Sequence, residues 1–155
     1  MGLLTPLAIR IGGISWMPRL LPQIVWVDVH LQQLTRGRLG LLDIAGLPNL
    51  VLTVPGRKSG IPRSTPLLYV PYEDTCLIAG SYFGGPDEPA WVANLEAAAS
   101  GEITVDGRTV EFKARRIEGA ERDEFWSHML TTWPNFAKYE QRTEREIKVF
   151  QLTPV

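Results

Sequence analysis

The residues best suited to chemistry lie together in Gly56-Arg57-Lys58-Ser59-Gly60-Ile61-Pro62-Arg63. Two glycines permit a tight turn that leaves backbone N–H groups free to cradle an anion. Arg57 and Arg63 can grip a phosphate or carboxylate with a planar fork, Lys58 adds a point charge, and Ser59 adds a hydroxyl donor. The loop is not a P-loop, because Arg57 separates Gly56 from Lys58 and no glycine stands where the first is required. No Gly-x-Gly-x-x-Gly dinucleotide fingerprint occurs either. On residue chemistry alone, an anion-binding loop and a solvated hairpin tip are equally good readings.

Other chemistries have little to build on. His30 and His128 fall on separate predicted helices, and with Cys76 as the only cysteine no zinc-ligand spacing is present. No Gly-x-Ser-x-Gly elbow exists for a nucleophilic serine. Cys76 sits in the apolar run Cys76-Leu77-Ile78-Ala79 and reads as a small buried hydrophobe, which suits a reducing compartment. The 155 residues, 45% hydrophobic and 21% charged, are those of an ordinary globular chain. The net charge of −1 conceals an uneven distribution. Residues 1–72 carry seven bases against two acids, and no acid occurs between Asp43 and Glu73. Mixing of the two halves in space is the simpler expectation. The slight overall acidity and the lack of an aromatic platform beside the basic loop argue against nucleic-acid binding.

These side chains must be positioned by a mixed set of elements. Ile24, Val27, Leu31 and Leu34 predict an amphipathic helix over Pro22–Arg36, with Asp28, Gln32 and Gln33 off its apolar stripe. That helix is expected to dock on the chain's own core. Peripheral membrane contact is the alternative, given Trp16, Trp26, Arg10 and Arg19. No uninterrupted apolar run reaches the ~20 residues of a membrane span. There is no clean signal-peptide layout, and Pro6 stands where a myristoylation motif wants Ser or Thr. A cytoplasmic location follows, with attachment at the inner membrane face as its variant. Strands are expected at Asn49–Val54, Ser64–Val70, Cys76–Ser81, Ile103–Val105, Arg108–Ile117 and Ile147–Leu152, with Asp106-Gly107 as a tight hairpin turn. Helices are expected at Pro89–Ala99, stopped by Gly101, at Ala120–Thr132 and at Phe136–Arg142. Hairpin-linked strands with inserted helices indicate an α+β barrel rather than a doubly wound parallel sheet. The division is an N-terminal helical segment, residues 1–35, and a barrel domain, residues 36–155.

The run Leu52 to Leu67 that contains the basic loop resembles the signature of the deazaflavin-dependent nitroreductase family. The similarity continues in register through Ala79-Gly80-Ser81, Gly84-Gly85, Pro89-Ala90-Trp91-Val92-Ala93-Asn94-Leu95, Trp133-Pro134-Asn135-Phe136-Ala137-Lys138-Tyr139 and Thr143-Glu144-Arg145-Glu146-Ile147. The resemblance implies a split β-barrel of mostly antiparallel strands with flanking helices. It also implies coenzyme F-420, an 8-hydroxy-5-deazaflavin carrying a phosphodiester and an oligoglutamate tail. By the same resemblance Arg57, Lys58, Ser59, Gly60 and Arg63 would hold the phosphate and tail. Ser64, Thr65, Pro66, Leu67 and Leu68 would flank the ring, with Ala79, Gly80, Ser81 and Tyr82 contacting it from a neighbouring strand. Ala90, Trp91, Val92, Ala93 and Asn94 would supply the start of the cofactor helix, whose free N–H groups favour an anion. Trp133, Phe136 and Tyr139 would form an aromatic substrate pocket, and no metal is called for.

The activity implied is hydride transfer from the reduced coenzyme to an electrophilic small molecule such as an enone, lactone, quinone or nitroaromatic. Tyr139, Ser81 or solvent would supply the proton. Phe136 stands where relatives that reduce nitroaromatic compounds carry tyrosine, and it can stack on a substrate but cannot donate a proton. Nitro reduction is therefore not expected. A split barrel binding flavin mononucleotide and a non-enzymatic carrier of the deazaflavin are the rival readings. Oligomeric state is not readable from these residues.

Overall fold

The computed structural model describes residues 4–14, 19, 21–34 and 46–155, and these described residues form seven strands and five α-helices. The strands are β1 (Asn49–Pro55), β2 (Pro62–Leu68), β3 (Val70–Tyr72), β4 (Thr75–Ala79), β5 (Ser100–Val105), β6 (Arg108–Ile117) and β7 (Val149–Pro154). The helices are α1 (Thr5–Gly12), α2 (Leu21–Leu34), α3 (Ala90–Ala98), α4 (Gly119–Thr132) and α5 (Asn135–Arg142), with a 3-10 turn at Tyr82–Gly84. All strand pairs are antiparallel, in the order β2-β1-β5-β6-β7-β4-β3.

That order makes the sheet curl. β2 and β3 lie at opposite edges, yet Tyr69 alone separates them along the chain, so the two edges must approach each other. The N–H of Tyr69 donates to the Pro48 carbonyl (3.1 Å) at this crossing. The single strand expected over Ser64–Val70 is thus two strands that serve different edges. Pro62 and Pro66 fit β2 because an edge strand can leave one side without ladder donors.

Side-chain alternation divides the interior between the two faces of the sheet. One side packs Leu50, Leu52, Val54, Ile78, Ile103, Phe112, Phe150 and Leu152 around Trp91, Val92 and Leu95 of α3. The opposite side packs Leu77, Ile117 and Val149 against Phe125, Trp126 and Met129 of α4 and Phe136 and Tyr139 of α5. Leu77 and Ile78 therefore serve different cores, as do Val149 and Phe150.

Several local expectations change. α3 ends because Ala99 takes a left-handed conformation (φ 56°), not because of Gly101. Gly101 lies in β5, where a Cβ would stand 2.5 Å from the Thr53 carbonyl oxygen, so backbone contact demands the glycine. Asp106 and Gly107 do take the positive φ angles of a tight hairpin turn (50° and 78°). On α2, Asp28 is buried while Val27 and Trp26 are exposed, the reverse of the expected stripe. Spacing alone cannot choose between them, since Val27 and Asp28 each lie three and four residues from Ile24 and Leu31; the docked face takes the Asp28 side. Arg36, Trp16 and the side chain of Leu34 lie outside the described residues. α1 lies in the expected N-terminal helical segment, although no separate helix was expected before Pro22. It docks through α5, where Asn135 Nδ2 donates to the Ile9 carbonyl and Arg142 donates to the Gly13 carbonyl, satisfying the open end of the helix.

Candidate active site

The basic loop is a closed turn built by its own glycines. Gly56 N–H donates to the Ile61 carbonyl (2.9 Å), and Gly60 N–H donates to the Gly56 carbonyl (2.8 Å). Gly60 sits at φ 71°, a left-handed conformation that glycine adopts without strain. The Ser59 hydroxyl accepts from Ile61 N–H (3.2 Å), so it stabilises the turn itself. Across β1 and β2, the Thr53 and Ser64 hydroxyls lie 2.8 Å apart. Thr65, Pro66, Leu67 and Leu68 follow, half-buried, along the edge strand.

The loop is fixed to α3 by one buried side chain. Asn94 Oδ1 accepts from the Arg57 backbone N–H (3.1 Å) and from Arg57 Nη1 (3.3 Å). The same helix supports the second expected segment. Gly80 lies so close to α3 that a Cβ there would be 2.7 Å from Val92 Cγ2, and its N–H donates to the Lys148 carbonyl (2.9 Å). Trp91 and Val92 face the core, Trp91 meeting Phe150 edge-on with ring centroids 6.1 Å apart. Ala90 is exposed and Ala93 half-buried.

Beyond Gly80 the chain turns through half-buried Ser81 and exposed Tyr82, which takes φ 44°. It then passes Gly84, where a Cβ would be 2.7 Å from the Tyr139 carbonyl oxygen. This segment therefore rests on α5, above the expected substrate residues. Trp133, Phe136 and Tyr139 are together but buried, with 6%, 4% and 2% exposure, and they are packed in the core beside Ala8 and Ile9 of α1. Trp133 Nε1 donates to the Tyr139 hydroxyl (3.1 Å).

Sequence comparison matches residues 25–154 to the F-420H(2)-dependent quinone reductase family. The chain belongs to that family. An F-420H(2)-dependent quinone reductase of Mycobacterium tuberculosis is 33% identical over 122 residues, covering 77% of this chain and 82% of the relative. A solved F-420-H2 dependent reductase is 30% identical, with a TM-score of 0.62, over 68% of this chain and 93% of the other. A structure described as a domain-swapped dimer is 28% identical, with a TM-score of 0.65, over 82% of this chain and 96% of the other. The fold is accordingly a split barrel, and membership of the quinone reductase family makes the chain an oxidoreductase that works with F-420.

The charge layout suits the coenzyme of this family. Arg57, Lys58 and Arg63 are exposed, and none pairs with a carboxylate among the described residues. Five acids of the C-terminal half form ion pairs elsewhere. Glu96, Glu118 and Glu146 meet Arg116, Glu88 and Glu96 meet Lys148, and Glu121 meets Arg115. The three cations of the loop stand apart from these ion pairs.

Tyr139 has the strongest titration signature. Burial pushes its hydroxyl up to about 12, although hydrogen bonds from Trp133 and Asn135 and the charge of Arg142 pull the other way. The folded protein therefore holds this proton more tightly than the unfolded chain. The stabilisation is fully present below about pH 10 and is lost as pH rises toward about 12. Alkaline denaturation should steepen across that window, and Tyr139→Phe should flatten it. An unchanged alkaline profile in the variant would mean that another tyrosine carries the transition.

Cys76 is half-buried, and burial pushes its thiol up, consistent with a packing role. His128 is exposed and its Nε2 donates to the Pro71 carbonyl (3.0 Å). Arg145 was not singled out by residue type. Its only signal was its place in the last motif, because a lone arginine between glutamates looks like a solvated surface residue.

Proposed function

We propose that the chain reduces quinones to quinols at the groove formed by the loop Gly56–Arg63, the start of α3 and the segment Gly80–Gly85. The observation that carries this reading is the convergence on α3: Asn94 holds Arg57, and Val92 seats Gly80. The quinone substrate is inferred from what the M. tuberculosis relative is described as reducing.

When bound, reduced F-420 supplies a hydride, and quinone plus hydride plus one proton gives the quinol. Arg57, Lys58 and Arg63 neutralise the phosphodiester and glutamate tail, and Asn94 keeps Arg57 aimed at the groove. Gly80, Ser81 and Tyr82 border the ring, opposite Pro66 and Leu67 of β2. Of the two candidate proton sources, Ser81 is half-exposed and can exchange with solvent. Tyr139 is buried in the core, where its hydroxyl accepts from Trp133, so burial keeps its proton from the groove and it positions the aromatic cluster. Phe136 lacks a hydroxyl, and nitroaromatic compounds are poor substrates on this reading.

Membrane contact forms part of the same proposal. Leu4, Leu7 and Ile11 on α1 and Trp26 and Val27 on α2 are exposed, with Arg10 and Arg19 also at the surface. Such a mixture of apolar and basic groups suits the interface of an anionic bilayer, where long-chain quinones reside. No helix among the described residues is long and apolar enough to cross a membrane.

One assay tests both parts: oxidation of reduced F-420 by a short-chain quinone in buffer and by a long-chain quinone in anionic vesicles. Turnover is expected with both. The double variant Leu7→Ser, Ile11→Ser should lose most of the vesicle activity and keep the activity in buffer. Absence of turnover with either quinone would overturn the substrate assignment. Equal loss in both assays would remove the membrane role.

A further inference from the structure

The segment Gly80–Gly85 has few ladder bonds of its own, yet it borders the groove. Its carbonyl groups converge on one side chain from a distant part of the chain. Arg145 Nη1 donates to the Gly80 carbonyl (2.9 Å), Nη2 to the Ser81 carbonyl (3.0 Å) and Nε to the Gly85 carbonyl (3.2 Å). All three guanidinium nitrogens are used, which lysine cannot reproduce with a single ammonium. Burial lowers the pKa of Arg145, with Glu88 and Asp87 opposing the shift. An arginine remains charged under such conditions, so the three bonds are charge-assisted.

The contact also fixes direction. Across a trans peptide the carbonyl and the following N–H point in opposite directions. With the Gly80 and Ser81 carbonyls held toward Arg145, the N–H groups of Ser81 and Tyr82 point away from it. Gly80 is meanwhile pressed on Val92 of α3, and Gly84 on the backbone of α5. The segment is therefore held at both ends by close glycine packing and along its length by one guanidinium.

We propose that Arg145 is the positioning residue of the quinone reductase site: it sets the conformation of Gly80–Gly85 and thereby the grip on the deazaflavin ring, without touching coenzyme or substrate. This rests on the reading that the segment borders the ring. It predicts a division of labour within the site, in which the basic loop determines tail affinity and Arg145 determines ring affinity.

The test compares the full coenzyme with the tail-less deazaflavin, using purified wild type, Arg145→Met, Arg145→Lys and Arg57→Ala. Thermal denaturation should show a folded protein for each. Arg145→Met should weaken both ligands by a similar factor, about tenfold, for the loss of interactions worth ~1.4 kcal/mol. It should also lower kcat more than it raises KM for the quinone. Arg145→Lys should recover part of the loss. Arg57→Ala should weaken only the full coenzyme. If Arg145→Met is folded, binds both ligands like wild type and keeps kcat, the positioning role is overturned. If Arg145→Met is too unstable to assay, Arg145→Lys decides: wild-type ring affinity and kcat in that variant overturn the role. Failure of wild type to bind either deazaflavin would instead overturn the functional reading, independently of Arg145.

Discussion

Replacement of both Arg57 and Lys58 by alanine should raise the Kd for F-420 by about two orders of magnitude. A hydrogen bond to a charged group contributes ~1.5–3 kcal/mol where solvent is excluded. Both side chains are exposed here, so roughly tenfold for each is a reasonable discount. The two losses need not add, because both cations face the same tail. The effect should shrink as salt is raised, since screening weakens the wild-type attraction. Titration of coenzyme fluorescence at low and high salt measures both features, with the tail-less deazaflavin as a control that should bind unchanged. Equal affinity of wild type and double variant for the full coenzyme at low salt would remove the loop from the binding site. The fold should be unaffected, because the turn is closed by Gly56, Ser59, Gly60 and Ile61 rather than by the cations.

A second large effect is expected in stability. Phe150→Ala removes a ring that is almost wholly buried on β7, where it meets Trp91 and belongs to the core around α3. Phe-to-Ala substitutions in cores cost ~3–5 kcal/mol, and close packing around α3 leaves little room for collapse. Against a typical total of ~5–15 kcal/mol, that loss is a large part of the stability. Urea denaturation should show a much lower midpoint with an unchanged slope. Loss of coenzyme affinity should accompany it, because α3 holds both Arg57 and Gly80. A midpoint within experimental error of wild type would show that α3 is supported elsewhere.

Much of the local structure was legible because its causes are local. Asp106-Gly107 demanded a tight turn, and the short apolar run of β1 and the Ala-rich α3 announced themselves. The boundaries that moved did so for tertiary reasons. Ser64–Val70 reads as one strand because nothing in its composition marks Tyr69 as the crossing between two sheet edges. Asp28 reads as a surface residue because Val27 fits the stripe of Ile24 and Leu31 equally well by spacing, and only the docked face chooses between them. The aromatic residues Trp133, Phe136 and Tyr139 read as an open pocket by resemblance, yet α1 and the segment Gly80–Gly85 cover them. Arg145 was invisible as a functional candidate because its partners are backbone carbonyls, and any sequence supplies those.

The amino-acid sequence by itself determined the glycine-bounded basic turn, the hairpin-rich split barrel and, through motifs in register, the F-420 family. These depend on residue type and short spacing, which act over one or two turns of chain. Only the tertiary structure decided that the loop's cations pair with no carboxylate among the described residues and that Asn94 binds Arg57. Only it revealed that Arg145 holds the far side of the groove. Those relations arise where residues 37 and 60 to 65 positions apart in the chain meet, a separation over which local spacing carries no signal.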